Sequence, residues 1–303
     1  MTFSLTILGT SSAFPTSKRY PTAHVLNVCE RFFLIDCGEG TQIQLRNNRI
    51  KFGKLNRIFI SHLHGDHFFG LFGLISTQSL LGRKTPLHIY SPAGLESIVN
   101  NLFRAVNDVL PFELIFHEID GKVAKLVYED KHICVESIPL KHRIPTYGYL
   151  FKEKLKVPNI KKKFVESYKP GIKEMLNIKK GADYISSEGK VIPNEQIIIP
   201  APKPRSYAFC SDTAYSEKIV EQLKDVDLLY HEATFLEEAK KLAKQSYHST
   251  ARQAATIAHL ANAGQLIIGH FSARYKQFEP FLEEAKEFFD NTVLAKDNLL
   301  IEL

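Results

Sequence analysis

Within the stretch NRIFISHLHGDHFFGLFG, residues 56–73, four side chains able to bind a metal ion fall in six positions: His62, His64, Asp66 and His67. Imidazole nitrogens and carboxylate oxygens both suit a cation such as Zn2+. The alternate spacing of His62 and His64 puts both on one side of an extended loop. Asp66 and His67 follow at the turn into a helix, where they can face a second ion. A cluster kept only for hydrogen bonding is the plainer reading. Rings packed this closely, however, would repel one another on protonation unless a shared cation took the proton's place.

Two ions need further ligands, and candidates stand at other strand ends. His142 follows CVESIPLK, Asp212 ends AFCSD and His270 ends QLIIGH. Taken alone, each is equally compatible with a structural role. Open α/β sheets, however, place their sites just past the carboxyl ends of strands. The expected grouping is His62, His64 and His142 on one ion and Asp66, His67 and His270 on the other, with Asp212 bridging. Two metals about 3.5–4 Å apart can clamp the attacking and leaving oxygens of a phosphate ester, and a metal can lower the pKa of water to about 7. His24, His88, His117, His132 and His259 have no such setting and read as structural or surface residues.

The elements that must hold these residues are short β-rich runs alternating with helical patterns. Residues 3–9, 24–28, 31–38, 56–61 and 86–91 read as strands bounded by Gly, Pro or Ser, and so do 132–140, 206–211, 227–233 and 265–270. Apolar residues recur at helical spacing over 70–82 and 93–106. Residues 249–264 read as a helix with a Ser/Thr cap and a terminal Gly. The alternation predicts an α/β fold.

The chain has 303 residues, 44% of them hydrophobic, enough to bury a large core. No run of 18 apolar residues suggests a membrane span. The opening MTFSLTILGTSSAFP has neither a basic leader nor a long apolar segment, so no signal peptide is expected. Cys29, Cys37, Cys134 and Cys210 show no CxxC spacing, which points away from a disulfide framework and towards a reducing cytoplasm. The net charge is +6. Residues 151–205 hold twelve Lys and one Arg against six acidic residues, an excess of +7 that leaves −1 for the rest of the chain. This segment has weak periodicity and recurrent Pro and Gly. It reads either as a solvated excursion or as an electrostatic handle for a polyanion, since lysines placed on phosphates release counterions.

With these residues in view, the chain resembles the metallo-β-lactamase superfamily and, within it, the ribonuclease Z family. H-x-H-x-D-H marks only the superfamily. The narrower resemblance rests on DCGEGTQIQL (Asp36–Leu45), CSDT (Cys210–Thr213), HEATF (His231–Phe235), YHST (Tyr247–Thr250) and GHFSARY (Gly269–Tyr275), which occur in the family's order. The resemblance implies an αββα four-layer sandwich of two similar halves, a single domain over 1–303, with the basic segment 151–205 inserted as a protruding tRNA-binding arm. The family's arm commonly carries a Gly-Pro pair; here the nearest match, Pro170-Gly171, has the reverse order.

The activity implied is zinc-dependent cleavage of precursor tRNA after the discriminator nucleotide, leaving a 3′-hydroxyl on the tRNA and a 5′-phosphate on the trailer. It would use two Zn2+ per subunit in a homodimer whose arm acts in trans. Asp66 is then expected to ligate zinc and to orient or deprotonate the attacking water, and His248, oriented by Glu232, to donate the proton. Ser272 and Arg274, with Lys161, Lys162 and Lys163 of the arm, are expected to contact substrate, and residues 10–19 to line the cleft. The alternatives on the same scaffold are a small-molecule phosphodiesterase or arylsulfatase. An alternative of another class is a tRNA-binding protein that does not cut.

Overall fold

The computed structural model describes residues 2–303. Residues 2–152 with 205–303 form one compact unit, and Glu153–Pro204 forms a second. In the first unit the strands are β1 (Phe3–Gly9), β2 (Ala23–Val28), β3 (Arg31–Ile35), β4 (Leu55–Phe59), β5 (Leu87–Pro92), β6 (Leu114–Ile119) and β7 (Lys125–Glu129). They continue as β8 (Ile133–Pro139), β9 (Tyr147–Glu153), β10 (Ser206–Cys210), β11 (Leu228–Glu232), β12 (Gln265–Gly269), β13 (Thr292–Leu294) and β14 (Leu299–Glu302). One seven-stranded sheet has the order β14-β1-β2-β3-β4-β5-β6, the other β13-β12-β11-β10-β9-β8-β7. Each contains a run of four parallel strands, β3 to β6 and β10 to β13. This is the repetition expected of two similar halves.

The strands are apolar on both faces because both faces are covered. Inward residues such as Phe3, Leu5, Phe33 and Phe59 meet Tyr149, Phe151, Phe209 and Ile267 of the other sheet. Outward residues Leu34, Ile58 and Ile89 pack with Leu45, Leu74 and Val99 of helices Thr41–Asn47, Gly70–Leu80 and Leu95–Ala105. On the opposite side, Leu229 and Ile268 meet helices Ala251–Leu260 and Glu279–Lys286. The result is the four-layer αββα sandwich. Helix Ala251–Leu260 starts at a capping box in which Thr250 and Gln253 bond reciprocally. Its buried face of Ala251, Ala254, Ala255 and Ala258 keeps it close to the sheet.

The second unit has three helices, Lys162–Tyr168, Ile172–Lys179 and the single-turn Asn194–Ile197, and two short antiparallel strand pairs, 159–160 with 198–199 and 184–185 with 191–192. Phe164, Ile178, Tyr184, Ile192 and Ile197 form its own small core. The unit begins two residues after, and ends one residue before, the expected 151–205. Phe151 belongs to β9 and is fully buried between the sheets, while Arg205 falls in the first unit. No helix among the described residues is long and apolar enough to cross a membrane.

Candidate metal centre

The four parallel strands of each sheet deliver the chemistry at their carboxyl ends. Asp36 follows β3, residues 61–67 follow β4, Asp212 follows β10, Glu232 ends β11 and His270 follows β12. Asp36, Asp212 and His270 all have positive φ, 56°, 54° and 61°. Such a conformation costs a non-glycine residue roughly 1–2 kcal/mol, and here it falls on three side chains that converge. The helix carrying Asp66 and His67 (Gly65–Phe68) is tied to residues 36–38. The Cys37 amide donates to the His67 carbonyl at 2.7 Å and the Gly70 amide to the Cys37 carbonyl at 2.9 Å. Only glycine fits at position 70, because a Cβ there would run into the Gly38 carbonyl.

The structure brings all seven expected ligands into one pocket. His62, His64, His142 and Asp212 present ligand atoms within 4.8 Å of one another, and so do Asp66, His67 and His270. His62 Nε2 lies 2.9 Å from His64 Nδ1, which is 3.3 Å from His142 Nε2. Asp212 stands between the groups. Its Oδ2 faces His62 Nε2 at 3.6 Å and His142 Nε2 at 3.9 Å, and its Oδ1 faces His67 Nε2 and His270 Nε2, both at 3.1 Å. Asp66 Oδ2 is 3.4 Å from His67 Nε2 and receives the Ala13 amide at 2.8 Å, so the 10–19 loop does reach the cleft.

Burial and charge oppose each other throughout this pocket. Burial disfavours a charge on His67, but the carboxylates of Asp212, Asp66 and Asp36 outweigh it and raise its pKa. Burial works against ionisation of Asp66 too, yet His67 and His270 hold its carboxyl below the usual range. His67 Nε2 and His270 Nε2 are buried without a hydrogen-bond partner. Leaving such an atom unpaired costs about 1–3 kcal/mol. Two orphaned imidazole nitrogens aimed at two carboxylate oxygens, Asp212 Oδ1 and Asp66 Oδ2, fit a divalent cation, and the chemistry of the whole donor set agrees.

Residues outside the expected ligand set hold the ligands in place. Asp36 accepts from the Ser61 amide at 2.7 Å, the Ser61 hydroxyl at 2.9 Å and His67 Nδ1 at 2.7 Å. This fixes the tautomer that leaves His67 Nε2 facing the pocket. Thr234 Oγ1 donates to Glu232 Oε2 at 2.7 Å and accepts from His270 Nδ1 at 3.0 Å, which does the same for His270. Replacing Asp36 with Asn puts an amide donor where three donors already point. We expect D36N to weaken metal binding by about 10–100-fold, the usual effect of losing such a partner, as read by chelator competition against the wild type.

His248 sits beside the cluster, its ring 5.3 Å from that of His142 and 5.5 Å from that of His270. Its Nδ1 donates to Glu232 Oε1 at 2.8 Å. Burial resists protonation of this ring, but the Glu232 carboxylate prevails and raises the pKa to about 9. Glu232 is fully buried and also accepts from the Thr213 and Thr234 amides. Arg274 is exposed, lies 5.3 Å over the Phe235 ring and has no ion-pair partner among the described residues; Phe235 in turn is 6.2 Å from His248. The Ser272 amide donates to the Thr234 carbonyl at 3.2 Å. Lys161, Lys162 and Lys163 are exposed in the second unit. There Lys161 Nζ donates to the Gln196 carbonyl at 2.9 Å and Lys162 faces Glu166 at 3.5 Å.

Sandwich and cluster together define a metallo-β-lactamase-fold enzyme. The solved metallo-β-lactamase-fold protein YhfI from Bacillus subtilis shares this fold at TM-score 0.71 and 17% identity, covering 100% of both chains. Residues 3–155, which hold the H-x-H-x-D-H run, match the family model described as Anti-Pycsar protein Apyc1. Over its whole length the chain is similar to proteins named Ribonuclease Z. It is 52% identical to that of Bacteroides fragilis (strain YCH46), covering 99% of both, and 46% identical to that of Porphyromonas gingivalis (strain W83), again covering 99% of both. A solved human tRNase Z, short form, is 30% identical with TM-score 0.73, covering 98% of both chains. The chain belongs to the ribonuclease Z family.

Proposed function

We propose that this protein is the endoribonuclease that removes the 3′ trailer of precursor tRNA, cutting after the discriminator nucleotide to leave a tRNA 3′-hydroxyl and a 5′-phosphate on the trailer. The observation that carries the reading is the pairing of the seven-residue cluster with a carboxylate-held histidine at its rim, in a chain related over its full length to proteins named Ribonuclease Z. His62, His64 and His142 would hold one zinc ion and Asp66, His67 and His270 a second, with Asp212 shared between them. Two such ions supply Lewis acidity at the phosphate and a water of lowered pKa.

The chain's own groups do the rest. Asp66, ionised and steadied by the Ala13 amide, accepts a hydrogen bond or proton from the attacking water. His248 keeps Nδ1–H on Glu232 and gives the Nε2 proton to the departing 3′ oxygen of the tRNA. Its raised pKa loads that proton at neutral pH. Arg274 and Ser272 lie next to His248 through Phe235 and Thr234, in position to contact the nucleotide before the cut. The basic unit 153–204, including Lys161, Lys162 and Lys163, grips the tRNA body. In a cytoplasmic homodimer it serves the partner's site.

Two outcomes follow for the donor. H248A should lower kcat by about 10²–10⁴-fold, the usual contribution of general acid–base catalysis, with KM little changed. Because the folded pKa of His248 is raised to about 9, the proton is present below that pH and lost above it. Wild-type kcat should therefore fall as pH rises through about 9, and the H248A profile should lack that limb. The reading as a whole is tested by incubating the purified protein with a 3′-extended precursor tRNA and mapping the cut to the nucleotide. A cut elsewhere, or none with two zinc ions bound per chain, ends it.

A further inference from the structure

A groove of about 870 Å³ has the ligand candidate His142 among its lining residues. Lys122, Lys141 and Lys218 line it, and no carboxylate does. All three lysines are exposed, and none has an ion-pair partner among the described residues. The groove adjoins a second recess of about 410 Å³, with which it shares Gly121, Pro145 and Tyr147. That recess is walled by Leu63, Pro92, Ile119 and Ile144, so it opens between the ligand loop carrying His62 and His64 and the loop carrying His142. Its one acid, Asp120, is already engaged by Lys125.

We propose that this groove binds the single-stranded 3′ trailer of the substrate, with the three lysines on its phosphates and the apolar recess receiving an unstacked base. The assignment rests on the precursor-tRNA reading above. A charged track beside an apolar recess suits a single strand, whose bases are free to leave the stack; a duplex keeps its bases paired and out of reach. The order of the second sheet gives the direction. His248, Phe235 and Arg274 follow β11 and β12, whereas the groove is lined by the loop 121–124 before β7, by the turn from β8 to β9 and by residues 216–222 after β10. With His248 donating to the 3′ oxygen of the mature tRNA, the tRNA occupies the β11–β12 side. The chain beyond the cut then continues towards the β8–β9 turn and the loop before β7.

The test compares the triple variant K122A/K141A/K218A with the wild type on two precursors, one with a single-nucleotide trailer and one with a long unstructured trailer. The ratio of kcat/KM, long over short, should fall about tenfold or more in the variant. Separately, a fluorescent hexaribonucleotide is titrated against both proteins at several salt concentrations. Loss of three phosphate contacts should reduce the log–log salt slope by about 2, at about 0.7 per contact on a single strand. An unchanged ratio, or an equal loss on both precursors, overturns the assignment, the latter because the lysines would then hold the tRNA body. If the wild type cuts neither precursor, the activity reading has failed. The hexaribonucleotide titration then decides the groove alone, and an unaltered slope removes it.

Discussion

D212A should abolish cleavage of a 3′-extended tRNA, lowering kcat by more than the roughly 10²–10³-fold that follows loss of one electrostatic group at a reacting centre. The reason is the position of Asp212. It is the only expected ligand whose two oxygens face both groups, Oδ2 towards His62 and His142 and Oδ1 towards His67 and His270. Removing it breaks both halves of the cluster at once. It also strips four imidazoles of a shared counter-charge in a pocket where the carboxylate is 3% exposed. D212N separates charge from shape, since it keeps the volume and one acceptor oxygen but loses the negative charge. Metal analysis on purified protein should show about two zinc ions per chain in the wild type and fewer in both variants. Circular dichroism should show the fold retained. Turnover within tenfold of the wild type in D212A would refute the bridging role.

The parts of this centre legible from sequence are those whose meaning is local. His62, His64, Asp66 and His67 are diagnostic by spacing alone. His142, Asp212 and His270 are visible as polar residues ending apolar runs, and the structure places all seven in one pocket. Asp36 and Thr234 fall within the family motifs, but their roles are not legible there because those roles exist only across space. Asp36 lies 31 positions before the His67 it orients, and Thr234 lies 36 positions before His270. In sequence they are an acid at a strand end and a threonine after a glutamate. A carboxylate placed between a buried strand and a glycine was the available signal for Asp36.

Among the elements, β9 was missed because YGYLFKE mixes glycine and charge with its apolar residues, which blurs the period of two. Only tertiary burial shows that Tyr149 and Phe151 are fully covered. β7, β13 and β14 lie at or beside sheet edges, are partly exposed, and carry correspondingly weaker apolar patterns. The weak periodicity of the basic segment reflects a core of only five buried residues, too small to impose a strong stripe on its helices.

Excising residues 153–204 should separate binding of the tRNA body from chemistry. The chain on either side of the segment is prepared for the cut, because β9 and β10 are antiparallel neighbours and Lys152 is paired directly with Ser206. An Asn-Gly insert ahead of the retained Arg205 closes that pair with a three-residue loop, one of the common hairpin connections. The excised unit keeps its own apolar cluster, so its loss opens no cavity between the sheets. Every candidate ligand, and the Glu232–His248 pair, lies in the remaining unit. The shortened protein should therefore hydrolyse a small chromogenic phosphodiester within a few-fold of the wild type, while kcat/KM on precursor tRNA falls by a factor on the order of 10² or more. If the arm neutralises about five phosphates, the log–log salt dependence of wild-type tRNA binding should have a slope of about −4 to −5. The shortened protein should be flatter by nearly that amount. A small-substrate phosphodiesterase on this scaffold would respond differently, with both activities unaffected by the excision and a shallow salt dependence from the start. The expected pattern, tRNA cleavage lost and small-ester hydrolysis kept, arises only if the excess positive charge of residues 153–204, eleven Lys against six acidic residues, serves the RNA while the metal cluster serves the phosphate.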